Sequence, residues 1–114
     1  MHELSIAINI VEIATEEAKK ANVSSVLEIE LEVGTLSGIV IDALEFAMDE
    51  AIKNSVLQNA KIKINEIRAI AKCLKCSTEF SVENYYTPCP KCNSFETELT
   101  NGKELKIKSL LIDK

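Results

Sequence analysis

The chain is short of the residue types that most often carry chemistry. In 114 residues there is one histidine, no tryptophan, two prolines and three glycines. A single histidine, His2, excludes a multi-histidine metal site and leaves no imidazole elsewhere to act as a general base. So few glycines leave no Gly-rich loop to cradle a phosphate. With aromatics at 4% of residues, the core must be aliphatic. No apolar run approaches the roughly 20 residues of a membrane span. The N-terminus lacks the basic region and long apolar stretch of a secretory signal. These absences predict a cytoplasmic protein with no membrane partner. Basic residues are also in the minority, 13 against 18 acidic. A net charge of −5 argues against nucleic acid as the main partner, because phosphate binding rests on clustered lysine and arginine.

Hydrophobic residues still make up 46% of the chain, enough for one core. Leu4, Ala7, Ile8, Val11, Ala14, Ala18 and Ala21 recur at three- and four-residue steps, widened by Ile6, Ile10 and Ile13. This predicts a helix over 4–21, stopped by Asn22, with Met1, His2 and Glu3 just outside it. In VLEIELEV, residues 26–33, Leu27, Ile29, Leu31 and Val33 alternate with Glu28, Glu30 and Glu32. That is a strand with one buried face and one wet face. GTLSG, 34–38, reads as a turn, and a second amphipathic helix is predicted over about 40–54. KIKINEI, 61–67, and KELKIKSLLI, 103–112, repeat the alternation with lysine in place of glutamate. Opposite charges on neighbouring strands stabilise one another, so the Glu strand should neighbour a Lys strand. The expected fold is α+β: a three-stranded mixed sheet with two helices on one face, plus an inserted small zinc-ribbon-like domain. Residues 1–68 and 101–114 would form the α/β domain, and 69–100 the insertion. Asn101-Gly102 is a tight-turn pair at the exit.

The insertion holds all four cysteines, as CLKC, twelve residues, then CPKC. Two cysteines three apart on a tight turn can point at one ion. Two such knuckles make a tetrahedral four-sulfur site, the arrangement of structural zinc. Cys73, Cys76, Cys89 and Cys92 are the candidate ligands. Both spacings hold at once, which makes the signal specific. Iron in a tetrahedral sulfur site uses the same ligands. Disulfides suit neither the spacing nor a reducing compartment. Four thiolates leave no open position, so the site is structural. Tyr85 and Tyr86, with Phe80 and Phe95, should pack this small unit.

His2 directly follows Met1, and chain ends are usually unconstrained. Its position has a chemical reading, however. A free terminal amine and the His2 amide close a five-membered chelate ring. That amide and the imidazole Nδ1 close a six-membered one. Three nitrogens in a plane suit Ni(II) or Cu(II), with a fourth position for Glu3, another chain or water.

MHELS at 1–5, G-x-LSG at 34–38, the paired CxxC motifs with PCPKC at 88–92, and GKEL at 102–105 together resemble the HypA/HybF family. The resemblance runs from end to end. Thr35 stands where many relatives carry an acid, and Asn93 where glycine is common; neither is a proposed ligand. The resemblance implies a nickel metallochaperone of [NiFe]-hydrogenase maturation, not an enzyme. Nickel would be a transient cargo at Met1, His2 and Glu3, and zinc a structural ion at Cys73, Cys76, Cys89 and Cys92. A GTPase of the same pathway and the hydrogenase large subunit are the implied partners. The competing reading is a zinc-ribbon adaptor that mediates protein contacts without delivering metal.

Overall fold

The computed structural model describes residues 2–112. Elements run α1 (Glu3–Lys20), β1 (Val26–Gly34), α2 (Ile41–Ala51), β2 (Lys61–Ile67), β3 (Ile70–Cys73), β4 (Glu79–Ser81), β5 (Thr97–Asn101) and β6 (Leu105–Ile112). Two three-stranded sheets result, ordered β2-β1-β6 and β4-β3-β5. The first is mixed: β1 runs parallel to β2 and antiparallel to β6. The parallel pair needs a long crossover, which α2 supplies. The second sheet is wholly antiparallel.

Ile29, Leu31 and Val33 of β1, Leu44 and Met48 of α2 and Leu57 are buried in one core with the alanines of α1. Each large side chain buried there contributes roughly 1.5–3 kcal/mol. On the wet face the glutamate strand neighbours a lysine strand, as the charge pattern predicts, and has the second lysine strand on its other side. Lys106 Nζ lies 3.4 Å from Glu32 Oε1, and Lys108 Nζ lies 3.5 Å from Glu30 Oε2. On the other side, Glu28 and Glu30 are in register with Lys61 and Lys63.

Several local expectations are corrected. Glu3 is the first residue of α1 rather than part of a lead-in, and His2 is the N-cap. The buried stripe of α1 is Ala7, Ile10, Ala14 and Ala18, while Leu4, Ile8 and Ile13 are exposed. Small residues let the helix approach its neighbours closely, which turns the larger ones outward. Asn22 does end the helix: at φ 57° it adopts the left-handed conformation, and the Val23 N–H reaches back to the Ala18 carbonyl. Leu27, which the alternation places inside, is exposed. The β1–β6 register shifts between Val26 and Glu28, so Val26 takes the buried place. Asn101-Gly102 does not close a hairpin, because β5 and β6 belong to different sheets. It is the crossing point between them.

At that crossing the GTLSG turn is tied on both sides. Gly34 N–H donates to the Glu104 carbonyl at 2.7 Å, and Leu36 N–H to the Gly102 carbonyl at 2.7 Å. Ala69 N–H donates to Thr35 Oγ1 at 3.0 Å. Leu36 also packs against Ala69, Ala71 and Val82, the small core of the second sheet.

Candidate metal centre

The two cysteine pairs are built by one local rule used twice. In each, the residue after the second cysteine has a left-handed backbone: Ser77 at φ 62° and Asn93 at φ 62°. Asparagine tolerates that conformation better than most residues, which explains why Asn93 serves where glycine would be expected. Ser77 N–H donates to the Cys73 carbonyl at 2.9 Å, and Asn93 N–H to the Cys89 carbonyl at 2.8 Å. Cys73 N–H donates to Thr78, and Cys89 N–H to Ser94, both at 2.9 Å. The repeat is legible as C-x-x-C-x-[Ser/Thr], in CLKCST and CPKCNS. Thr78 and Ser94 are the members that reading the cysteines alone leaves out.

These two turns bring the four Sγ atoms within 4.8 Å of one another. Cys73 Sγ and Cys92 Sγ are 3.6 Å apart, as are Cys76 Sγ and Cys89 Sγ. Sulfurs about 2.3 Å from a tetrahedral ion stand about 3.8 Å from each other, so the donor set fits one ion. Cys73 and Cys89 are buried, and Cys76 and Cys92 are exposed.

The thiols are not equivalent. The Thr78 side chain, then its backbone, stabilise the Cys76 thiolate and bring it down from 9.0 to about 6. For Cys92 the Ser94 backbone also favours the thiolate. The neighbouring thiols, Cys73 first, and loss of water outweigh it and push Cys92 up to about 11. The protein's own hydrogen bonds therefore favour one thiolate at the expense of another. A bound cation would offset the effect of the neighbouring thiols on Cys92 and favour its thiolate.

The predicted aromatic packing holds only in part. Phe80 packs on the small core of the second sheet, but Tyr86 is 83% exposed and Phe95 is 70% exposed. Tyr85 reaches away from the cysteines: its hydroxyl donates to the Leu36 carbonyl at 2.9 Å. Lys103 Nζ sits over its ring, 5.0 Å from the centroid.

At the other candidate site, Met1 lies outside the described residues. His2 is exposed, with extended backbone, and its carbonyl accepts the Ile6 N–H at 3.3 Å. The Glu3 carboxylate accepts the Val40 N–H at 3.5 Å, a long contact that places it beside the start of α2. His2 and Glu3 are not part of the cysteine cluster. Among the described residues, no helix is long and apolar enough to cross a membrane.

A helix-covered mixed sheet carrying a closed four-thiol site on a second sheet defines a small α+β metal-binding protein. Comparison with known proteins names the family. Residues 1–112 match the family model for hydrogenase/urease nickel incorporation, metallochaperone, hypA. The chain is 46% identical to hydrogenase maturation factor HypA of Parabacteroides distasonis, covering 100% of this chain and 99% of that protein. It is 38% identical to hydrogenase maturation factor HypA of Geotalea uraniireducens, over 99% and 100%. Among solved structures, it is similar to the Ni metallochaperone HypA from Helicobacter pylori. That likeness has a TM-score of 0.69 and 25% identity, covering 98% of this chain and 97% of that one. The chain belongs to the HypA family, a family of nickel metallochaperones and maturation factors rather than enzymes.

Proposed function

We propose that this protein binds Ni(II) at its N-terminus as cargo and helps insert it into [NiFe]-hydrogenase in the cytoplasm. The supporting observation is an exposed His2 at the cap of α1 in a chain matched end to end by the nickel-incorporation family. Met1, His2 and Glu3 are the ligands in this reading. In protein that begins at Met1, the terminal amine, the His2 amide and the His2 imidazole supply three nitrogens, and Glu3 is adjacent. An exposed His2 leaves a coordination position for a recipient's ligand. That suits transfer better than a buried, closed site would.

Zinc is the ion assigned to Cys73, Cys76, Cys89 and Cys92. The four-thiolate donor set and the Sγ separations support it, and bound zinc contributes folding energy there. In this reading 1–68 with 101–114 form the nickel-binding domain, and 69–100 the zinc domain. A maturation GTPase and the hydrogenase large subunit are the partners.

Equilibrium dialysis against Ni(II), on protein with its native start, tests the reading. Nickel should bind, and His2→Ala should abolish it while zinc content stays unchanged. A residue added before Met1 should weaken nickel nearly as much, because it removes the amine from the chelate. Absence of nickel binding by the native protein would leave the adaptor reading in its place, and equal binding by the His2→Ala protein would move the nickel site away from the N-terminus.

A further inference from the structure

We propose that the open edge of β2 docks an extended segment of another protein, one whose side chains alternate between acidic and basic. The inference concerns a surface apart from the metal sites and does not depend on the nickel assignment. β2 borders its sheet with only β1 beside it, so the backbone groups on its outer side meet no other strand. It is a regular seven-residue edge, in unbroken register with β1 from Lys61 to Ile67. β6, the opposite edge, is interrupted by a register shift near Lys108. A regular edge accepts a further strand, whereas a bulged one resists it.

The two faces of this edge carry opposite charges, and among the described residues neither set is closed in an ion pair within 4.0 Å. On the wet face, Glu32 and Glu30 are engaged by Lys106 and Lys108 of β6. Lys61 and Lys63 are exposed, and no carboxylate among the described residues lies within 4.0 Å of either. On the helix-covered face, a groove of about 270 Å³ separates α2 from β2. Met48, Ile62 and Ile64 line it together with Glu45 and Asp49. Neither of those acids has an ion pair among the described residues.

Successive side chains of a strand point to opposite faces. A segment added to β2 therefore meets lysines on one face and carboxylates on the other. Acidic residues at alternate positions would extend the Lys-Glu-Lys order already present across the sheet. Arginine or lysine between them would lay its stem over Ile62 and Ile64 and bring its head to Glu45 and Asp49. A second copy of this chain is a poor occupant. Antiparallel pairing of two β2 strands centred on Ile62 sets Lys61 opposite Lys63, and a wet face shared by both copies brings four lysines together in any register. The lysines that suit an acidic neighbour also oppose self-association.

The test is titration of the full-length, 15N-labelled protein with a capped synthetic peptide of alternating Glu and Arg, roughly eight residues long. The control peptide has the same composition with all Glu preceding all Arg. At low salt, amide shifts should saturate over residues 45–49 and 61–65, with Kd of about 1 mM or tighter. The block peptide should bind roughly tenfold more weakly, and so should the alternating peptide to Lys61→Glu/Lys63→Glu protein. If that double variant misfolds, Asp49→Asn provides the same comparison from the other face. Absence of saturation, equal binding of the block peptide, or shifts centred on β6 would overturn the proposal. Concentration-dependent shifts at these amides without peptide would assign the edge to a second copy and overturn it too.

Discussion

The Tyr85 hydroxyl donates to the Leu36 carbonyl, 49 residues away in sequence and on the turn that closes β1. It ties the loop before the second cysteine pair to the helix-covered sheet. Lys103 over the ring adds a contact from the segment that crosses between the sheets. Tyr85→Phe removes the hydrogen bond and keeps the ring. Because Tyr85 is about half exposed, the loss should lie near the low end of about 0.5–1.5 kcal/mol. Denaturant unfolding measures it. Hydrogen exchange should quicken around residues 36 and 84–88 and stay unchanged in α1.

Gly102 should tolerate substitution worse than any surface position. Its φ of 121° is a region that L side chains rarely adopt, and an added Cβ would meet the Ala69 backbone and methyl group. Gly34 faces the same crossing, where a Cβ would run into the Gly102 carbonyl. Gly102→Ala should cost on the order of 1–3 kcal/mol from backbone conformation, before any steric displacement. Thermal unfolding against Gly38→Ala is the comparison. Gly38 also has a positive φ, of 84°, but open space around its Cβ, so it separates strain from crowding. Equal losses at the two positions would contradict the crowding at Ala69.

Periodicity made the two helices and three long strands legible, because each has one buried face and a regular repeat. Alternating charge indicated which strands neighbour one another, since unlike rows attract across a sheet. Cysteine spacing made the metal cluster legible. What periodicity could not carry was any local break in it. The bulge at Leu27 reverses which residue faces inward, and nothing in VLEIELEV marks it. The alanine stripe of α1 outcompetes Leu4 and Ile8 for burial because close approach, not side-chain size, decides that packing. Proximity in sequence points Tyr85 to the cysteine unit, whereas its partner Leu36 is brought near by tertiary structure.

Glu30 should give the sheet an acid-sensitive stability. Its carboxylate accepts a hydrogen bond from Asn65 Nδ2 at 2.6 Å, and this, with Lys108 and Lys63, holds its pKa below the ordinary 4.5. A carboxylate with a depressed folded pKa stabilises the fold above its unfolded value. That contribution fades as pH falls through the folded value. Denaturant midpoints should therefore drop on acidification below about 4.5. They should drop less steeply in Asn65→Ala, where the leading cause of the shift is gone. Parallel pH profiles for the two proteins would show that Asn65 does not hold the carboxylate.

Removing the metal should unfold the second sheet and spare the first. Among the described residues, only Ala69, Ala71 and Val82 are buried there apart from Cys73 and Cys89, with Leu36, Phe80 and Leu99 packed partly against them. Two alanines and a valine bury too little apolar surface to offset the ordering of some thirty residues, at about 1–2 kcal/mol of backbone entropy each. Metal binding at the four thiols supplies the difference. The first sheet has its own core, twelve buried residues among those described, and needs none of this. Chelation, or replacement of any one of Cys73, Cys76, Cys89 or Cys92 by Ala, should therefore collapse the amide dispersion of residues 70–100. The β1 and α1 signals should keep their positions. Elemental analysis of the intact protein should find about one zinc per chain. A chelated protein whose 70–100 amides remain dispersed would mean that the second sheet folds on side-chain packing alone.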